Sequence, residues 1–160
     1  MVLMMATYGL GAAEIMALDL HDIDWKRQLL QVKRPKTGAA TTLPLLPAVA
    51  QAVATYLKHE RPARAKSCAL FVRHWLPHDR LGSSSLIRHR LVEYARRAGL
   101  PHLHLCAHVL RHTYATRQID SGAPSQVLSD ILGHRDPSST SVYVRVALRR
   151  LRALSLPVPG

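Results

Sequence analysis

Prolines and glycines punctuate this chain, and most of the stretches between them repeat with a helical period. Pro47 stands where a first helical turn accepts proline, and Val49, Ala52, Val53, Tyr56 and Leu57 follow on one face. Residues 83–98 place Ile87, Leu91, Tyr94, Ala95 and Ala98 on one side, and Gly99 is their stop. Residues 107–121 predict another helix, closed by Gly122. A short one follows Pro124 with Val127, Leu128 and Ile131 inward, and Gly133 ends it. Asp136-Pro137 then reads as an N-cap and first-turn proline leading toward Tyr143, and residues 146–155 carry Leu148, Leu151 and Leu154 among arginines.

The early part of the chain reads differently. Residues 12–18 predict a short helix, and Trp25, Leu29 to Val32 and Thr41 to Leu45 predict short strands. Lys33 to Ala40 is the expected loop between the last two strands, with Pro35 and Gly38 as its turn residues. Leu70-Phe71-Val72 is a brief strand or a buried link. The expected class is therefore α+β, mainly helical, with a small antiparallel sheet near the N-terminus.

Composition narrows the partners. At 160 residues and 48% hydrophobic content the chain is one domain with a real core. No apolar run approaches the ~20 residues that span a bilayer. Met1-Val2-Leu3-Met4-Met5 lacks the basic start of a signal peptide and reads as a helix cut from a longer element. Two cysteines, Cys68 and Cys106, cannot build a disulfide framework; both are expected as buried thiols in a cytoplasmic protein. A formal charge of +12 favours a polyanionic partner, and charge alone leaves nucleic acid and an anionic membrane surface both open. With aromatic content at 5% and a single phenylalanine, duplex DNA gripped through its phosphates fits better than stacked single-stranded bases.

Several side chains carry chemistry. His108 and Arg111, at i and i+3, project from one face of a helix. Arginine offers a planar fork that matches two phosphate oxygens, and histidine can donate to the same phosphate or move a proton. Gly133-His134 follows a helix end, and Tyr143 stands nine positions after His134. A nucleophile, an anion fork and two imidazoles suit attack on a phosphodiester. A metal site is the rival reading, because His102, His104, Cys106, His108 and His112 are locally dense; no carboxylate lies among them.

The ordered set His108-Val109-Leu110-Arg111-His112-Thr113, Leu132-Gly133-His134 and Tyr143 resembles the tyrosine recombinases, or phage integrases. Glu14 to Leu20 with Asp22-Ile23-Asp24 resembles the segment around that family's first catalytic arginine, and Lys33 to Pro44 resembles its β-hairpin. The resemblance implies a single catalytic domain over 1–160, with the family's N-terminal core-binding domain absent. It implies cutting and rejoining of duplex DNA, with Tyr143 as nucleophile, Arg111 holding non-bridging oxygens, His108 assisting proton transfer and His134 supporting the phosphate. Lys36, or alternatively Lys33, would protonate the leaving 5′-oxygen. Lys33, Arg34, Thr37 and Arg135 would contact DNA. No metal or cofactor is implied, because the phosphotyrosine conserves the bond energy for religation. Segment 146–155 would dock on a neighbouring protomer.

One position departs from this pattern. The family's first arginine sits in Gly-Leu-Arg-x-x-Glu, and here the run is Gly9-Leu10-Gly11-Ala12-Ala13-Glu14. Losing one arginine at a phosphoryl transition state costs on the order of 10³–10⁵ in rate. Strand exchange is expected to be weak, and the alternative is a non-catalytic DNA-binding remnant or regulator. Arg34 is the cation that would have to substitute.

Overall fold

The computed structural model describes residues 1–34, 38–100, 106–124, 127, 128 and 132. Its elements follow the order α1 (Val2–Tyr8), α2 (Ala12–Ala17), β1 (Ile23–Asp24), β2 (Leu29–Lys33), β3 (Ala40–Pro44), α3 (Pro47–Thr55), α4 (Ser85–Arg97) and α5 (Ala107–Asp120). A wider helical turn, Tyr56–Glu60, continues α3.

The three strands form one antiparallel sheet in the order β1-β2-β3. Leu30 faces Leu43 and Val32 faces Thr41, so the even positions of β2 turn inward while Gln31 and Lys33 turn out. The ladder runs on to Lys33 opposite Ala40, which shortens the expected loop at both ends. The first strand is displaced from its expected place: it is Ile23–Asp24, and Trp25 lies in the turn with 45% of its surface exposed. Ile23 faces Leu30, so the ladder can bury only this short segment, and the chain reverses over Trp25 to Gln28.

One core joins the helices to the inner face of the sheet. It contains Met4, Met5, Leu10 and Ile15, then Leu30 and Val32, then Val49, Leu70 and Ile87. Leu70-Phe71-Val72 is a buried link. The Leu70 amide donates to Leu18 O at 2.9 Å, and Val72 makes an isolated bridge to Arg80. On α4 the buried stripe is narrower than its periodicity suggested. Ile87, Leu91 and Ala95 are buried, whereas Tyr94 is 51% exposed and Ala98 lies in water. The i, i+4, i+8 row alone meets the core. Val127 is likewise exposed, while its neighbour Leu128 is buried with Leu132 and Ala115 in a second cluster. Cys68 is exposed and Cys106 half-buried, against the expectation of two buried thiols; Cys68 lies on a loop whose carbonyl, not its side chain, is engaged.

Two close contacts fix α1. The Tyr8 hydroxyl donates to Pro44 O at 2.8 Å and accepts from the Leu46 amide at 2.9 Å, tying the helix to the exit of the sheet. Gly9 ends α1 with φ +65. A Cβ there would overlap the Tyr114 ring and come within 2.9 Å of Leu132 Cδ2. Helix α5 therefore lies against the end of α1, and that contact brings Arg111 to the turn before α2.

Candidate active site

The site is built on a single carboxylate. Glu14 sits in the first turn of α2 and reaches back so that its Oε2 accepts the Gly11 amide at 2.7 Å. This is the reciprocal half of a capping box, and it satisfies one of the donors that a helix start leaves unpaired. The same oxygen lies 3.1 Å from Arg111 Nη1, and the other, Oε1, accepts from Arg34 Nη1 at 2.5 Å. Three elements, α2, the end of β2 and α5, thus meet at one side chain.

Strand parity explains why Arg34 is there. Leu30 and Val32 turn inward, and Arg34 is the next even position, so its side chain continues into the interior and is only 4% exposed. Its backbone is held on both sides: the Arg34 amide donates to Ala39 O, and the Gly38 amide donates to Arg34 O, each at 2.8 Å. Lys33, one step earlier, points the other way. Its Nζ lies 3.0 Å from Asp22 Oδ1 and 3.8 Å from Asp19 Oδ2. The two cations that sequence placed side by side on DNA therefore occupy different surroundings.

Arg111 is half-buried on α5, and its Nη2 donates to the carbonyl of Leu132, two residues before His134 in the chain. His108, one turn earlier on the same helix, is exposed. His112 is held below the usual imidazole range, first by desolvation and then by the nearby charges of His108 and Arg111. At neutral pH its ring is therefore neutral. Position 11 faces this same group: a Cβ on Gly11 would lie 3.6 Å from Arg111 Nη1 and 3.6 Å from Glu14 Oε2. A longer side chain at position 11 thus starts in van der Waals contact with the cluster.

Of the residues singled out in the sequence, the structure places His108 and Arg111 on one helical face and Arg34 beside Arg111 through Glu14. Tyr143, His134, Lys36, Thr37 and Arg135 lie outside the described residues. Glu14 is the organising residue that residue-type reasoning passed over. Its signal was the three-residue spacing from Gly11 to an acid in the first turn, which reads as a helix cap. For the metal reading, Cys106, His108 and His112 do not gather as a three-donor group among the described residues. Asp19, His21 and Asp22 do gather, but Lys33 and Arg80 are ion-paired with these aspartates.

A half-buried carboxylate flanked by two guanidiniums leaves one net positive charge that suits an anion, with an imidazole one helical turn away as a proton carrier. Comparison with known proteins gives the family. The phage integrase family matches residues 1–150. The chain is 38% identical over 159 residues to the integrase/recombinase y4gC of Sinorhizobium fredii, covering 98% of this chain and 80% of that one. It is 31% identical over 146 residues to the tyrosine recombinase XerD of Yersinia pestis, covering 91% of this chain but 48% of XerD. Its fold is similar to that of the XerH site-specific recombinase bound to palindromic difH substrate, with a TM-score of 0.80, 18% identity, and coverage of 96% of this chain and 43% of XerH. The chain thus spans about half the length of XerD and XerH. It belongs to the phage integrase family of tyrosine recombinases, and its fold is that family's catalytic domain.

Proposed function

We propose that this member of the phage integrase family cuts and rejoins duplex DNA through a 3′-phosphotyrosyl intermediate, at a rate lowered by the glycine at position 11. The Tyr143 oxygen attacks the scissile phosphorus and forms the new P–O bond, while its proton passes to His108. The bond from phosphorus to the 5′-oxygen breaks, and that oxygen leaves as a hydroxyl with a proton from Lys36; Lys33, the alternative donor, is ion-paired with Asp22 at 3.0 Å on the opposite face of β2 from Arg34. Arg111, with His134, holds the non-bridging oxygens as charge builds on them. Rejoining is the reverse, with a 5′-hydroxyl displacing tyrosine. Lys33, Arg34, Thr37 and Arg135 contact the DNA, and segment 146–155 docks on a second protomer assembled on the same DNA. Among the described residues no helix is long and apolar enough to cross a membrane.

The observation that carries this reading is Arg111, fixed at 3.1 Å on the Glu14 carboxylate and one helical turn from His108. An arginine whose fork is oriented in advance loses little freedom when a phosphate arrives. The test is incubation with a pool of nicked duplexes of randomised sequence, followed by denaturing gels. A covalent adduct that disappears in Tyr143→Phe is expected. An adduct that persists in that variant would overturn the nucleophile. No adduct from the native chain or from Gly11→Arg would overturn the enzyme reading in favour of a DNA-binding regulator, which Gly11 itself favours.

A further inference from the structure

We infer that Arg34 supplies the second guanidinium to the scissile phosphate, in the place that a side chain at position 11 would otherwise fill, and that Glu14 is the residue that positions it. The inference rests on the phosphoryl-transfer reading above and limits the loss assigned to Gly11.

Three observations converge on it. First, Arg34 and Arg111 take the two oxygens of one carboxylate, Oε1 at 2.5 Å and Oε2 at 3.1 Å, so their forks are held within one small volume. Second, position 11 opens onto that same volume, with its Cβ direction 3.6 Å from both Arg111 Nη1 and Glu14 Oε2. An arginine rooted at position 11 and the arginine rooted at position 34 thus serve the same spot from different elements. Third, the charges leave a remainder. Two guanidiniums and one carboxylate sum to one positive charge, which matches the single negative charge of a phosphodiester.

Burial sharpens the point. A lone buried guanidinium is strongly destabilising, so Arg34 is retained only beside an anion. Glu14 is that anion in the free protein, and it is shared with Arg111, so neither arginine has it alone. A phosphate oxygen entering between the two forks is a second acceptor for both. The backbone of Arg34 is pinned at Ala39 and Gly38, which makes its fork a preset donor rather than one recruited from solvent. Lys33 cannot take this role, since it points to the opposite face and is paired with Asp22 at 3.0 Å.

The probe is orthovanadate, a tetrahedral oxyanion that mimics phosphate, becomes five-coordinate only when a hydroxyl adds to it, and needs no DNA sequence; it is observed through the guanidinium ¹⁵N signals of the full chain. Saturable shifts of both the Arg34 and the Arg111 signals are expected. Arg34→Lys keeps a cation for Glu14 and so keeps the fold, but it lacks the fork. It should bind vanadate at least tenfold more weakly at an unchanged melting temperature. Adding Gly11→Arg to Arg34→Lys should restore the affinity. Vanadate that moves Arg111 alone, or binds Arg34→Lys as tightly as the native chain, would overturn the inference.

The nicked-duplex adduct supplies the second arm. Its rate should fall at least a hundredfold in Arg34→Lys and recover in the double variant; an unchanged rate would overturn the inference. A native chain that shifts both arginines with vanadate yet forms no adduct would sink the cleavage reading and leave the two-arginine oxyanion site standing.

Discussion

Glu14 and Arg111, 97 positions apart in the chain, meet at 3.1 Å, and through that contact the turn before α2 and helix α5 become one site. Because Glu14 also pairs with buried Arg34, its charge is a structural requirement as well as an electrostatic one. Glu14→Gln leaves two guanidiniums facing each other without an anion. Breaking a buried ion pair by removing one partner costs roughly 3–5 kcal/mol. For a domain of this size that lowers the melting temperature by about 10 °C or more. Thermal unfolding followed by circular dichroism is the check, and Glu14→Asp should fall between.

The close approach of α1 and α5 predicts a second effect. Gly9→Ala must hold φ +65 with a side chain and displace Tyr114 and Leu132. The left-handed backbone alone costs roughly 1–2 kcal/mol, and crowding adds about as much again. Urea titration should show a lower midpoint. Gly38→Ala, whose Cβ meets nothing within 4 Å, separates the backbone term from the crowding term.

Tyr8→Phe removes one hydroxyl and two hydrogen bonds, to Pro44 O and from the Leu46 amide. The expected loss is about 1–3 kcal/mol, since both backbone groups keep their polarity and lose their partner. The same urea titration measures it, with the slope of the transition unchanged.

His112 gives the chain a pH dependence with a definite sign. Its folded-state affinity for protons is lowered by burial, then by His108 and Arg111. As pH falls below about 6.5, the unfolded chain takes up a proton that the folded chain refuses, so stability declines. The decline stops once pH passes below the folded value. Melting temperature should therefore drop between pH 7 and pH 5, and His112→Asn should flatten part of that drop.

Binding to duplex DNA should be strongly salt-dependent, given a formal charge of +12. If six or more phosphates are neutralised, affinity falls by about 10³ or more between 50 and 200 mM salt. Fluorescence anisotropy with a labelled duplex measures it. An affinity that does not change with salt would remove the phosphate-gripping surface from the account.

Much of the fold was legible because its signals are local. Pro47 and the row from Val49 mark α3, Gly122 follows the end of α5, and the alternation in Leu29 to Val32 marks the central strand. The misplacements fall where a tertiary neighbour decides. Trp25 has the composition of a strand residue, but the ladder ends before it. Tyr94 and Val127 fit an apolar row, yet about half of each remains exposed.

The candidate site divides in the same way. His108 and Arg111 could be paired from sequence because i and i+3 on a helix are neighbours whatever the rest of the chain does. The glycine at position 11 was equally plain. What it faces was not, since the partners of Glu14 lie 20 and 97 residues away and no periodicity links them. The amino-acid order alone determined which ionisable groups are available, the helical periods and the glycine at position 11. Only the tertiary structure decided that Arg34 turns inward to Glu14 while Lys33 turns to Asp22, because strand parity selects the face and α2 lies against β2, which brings the carboxylate within reach.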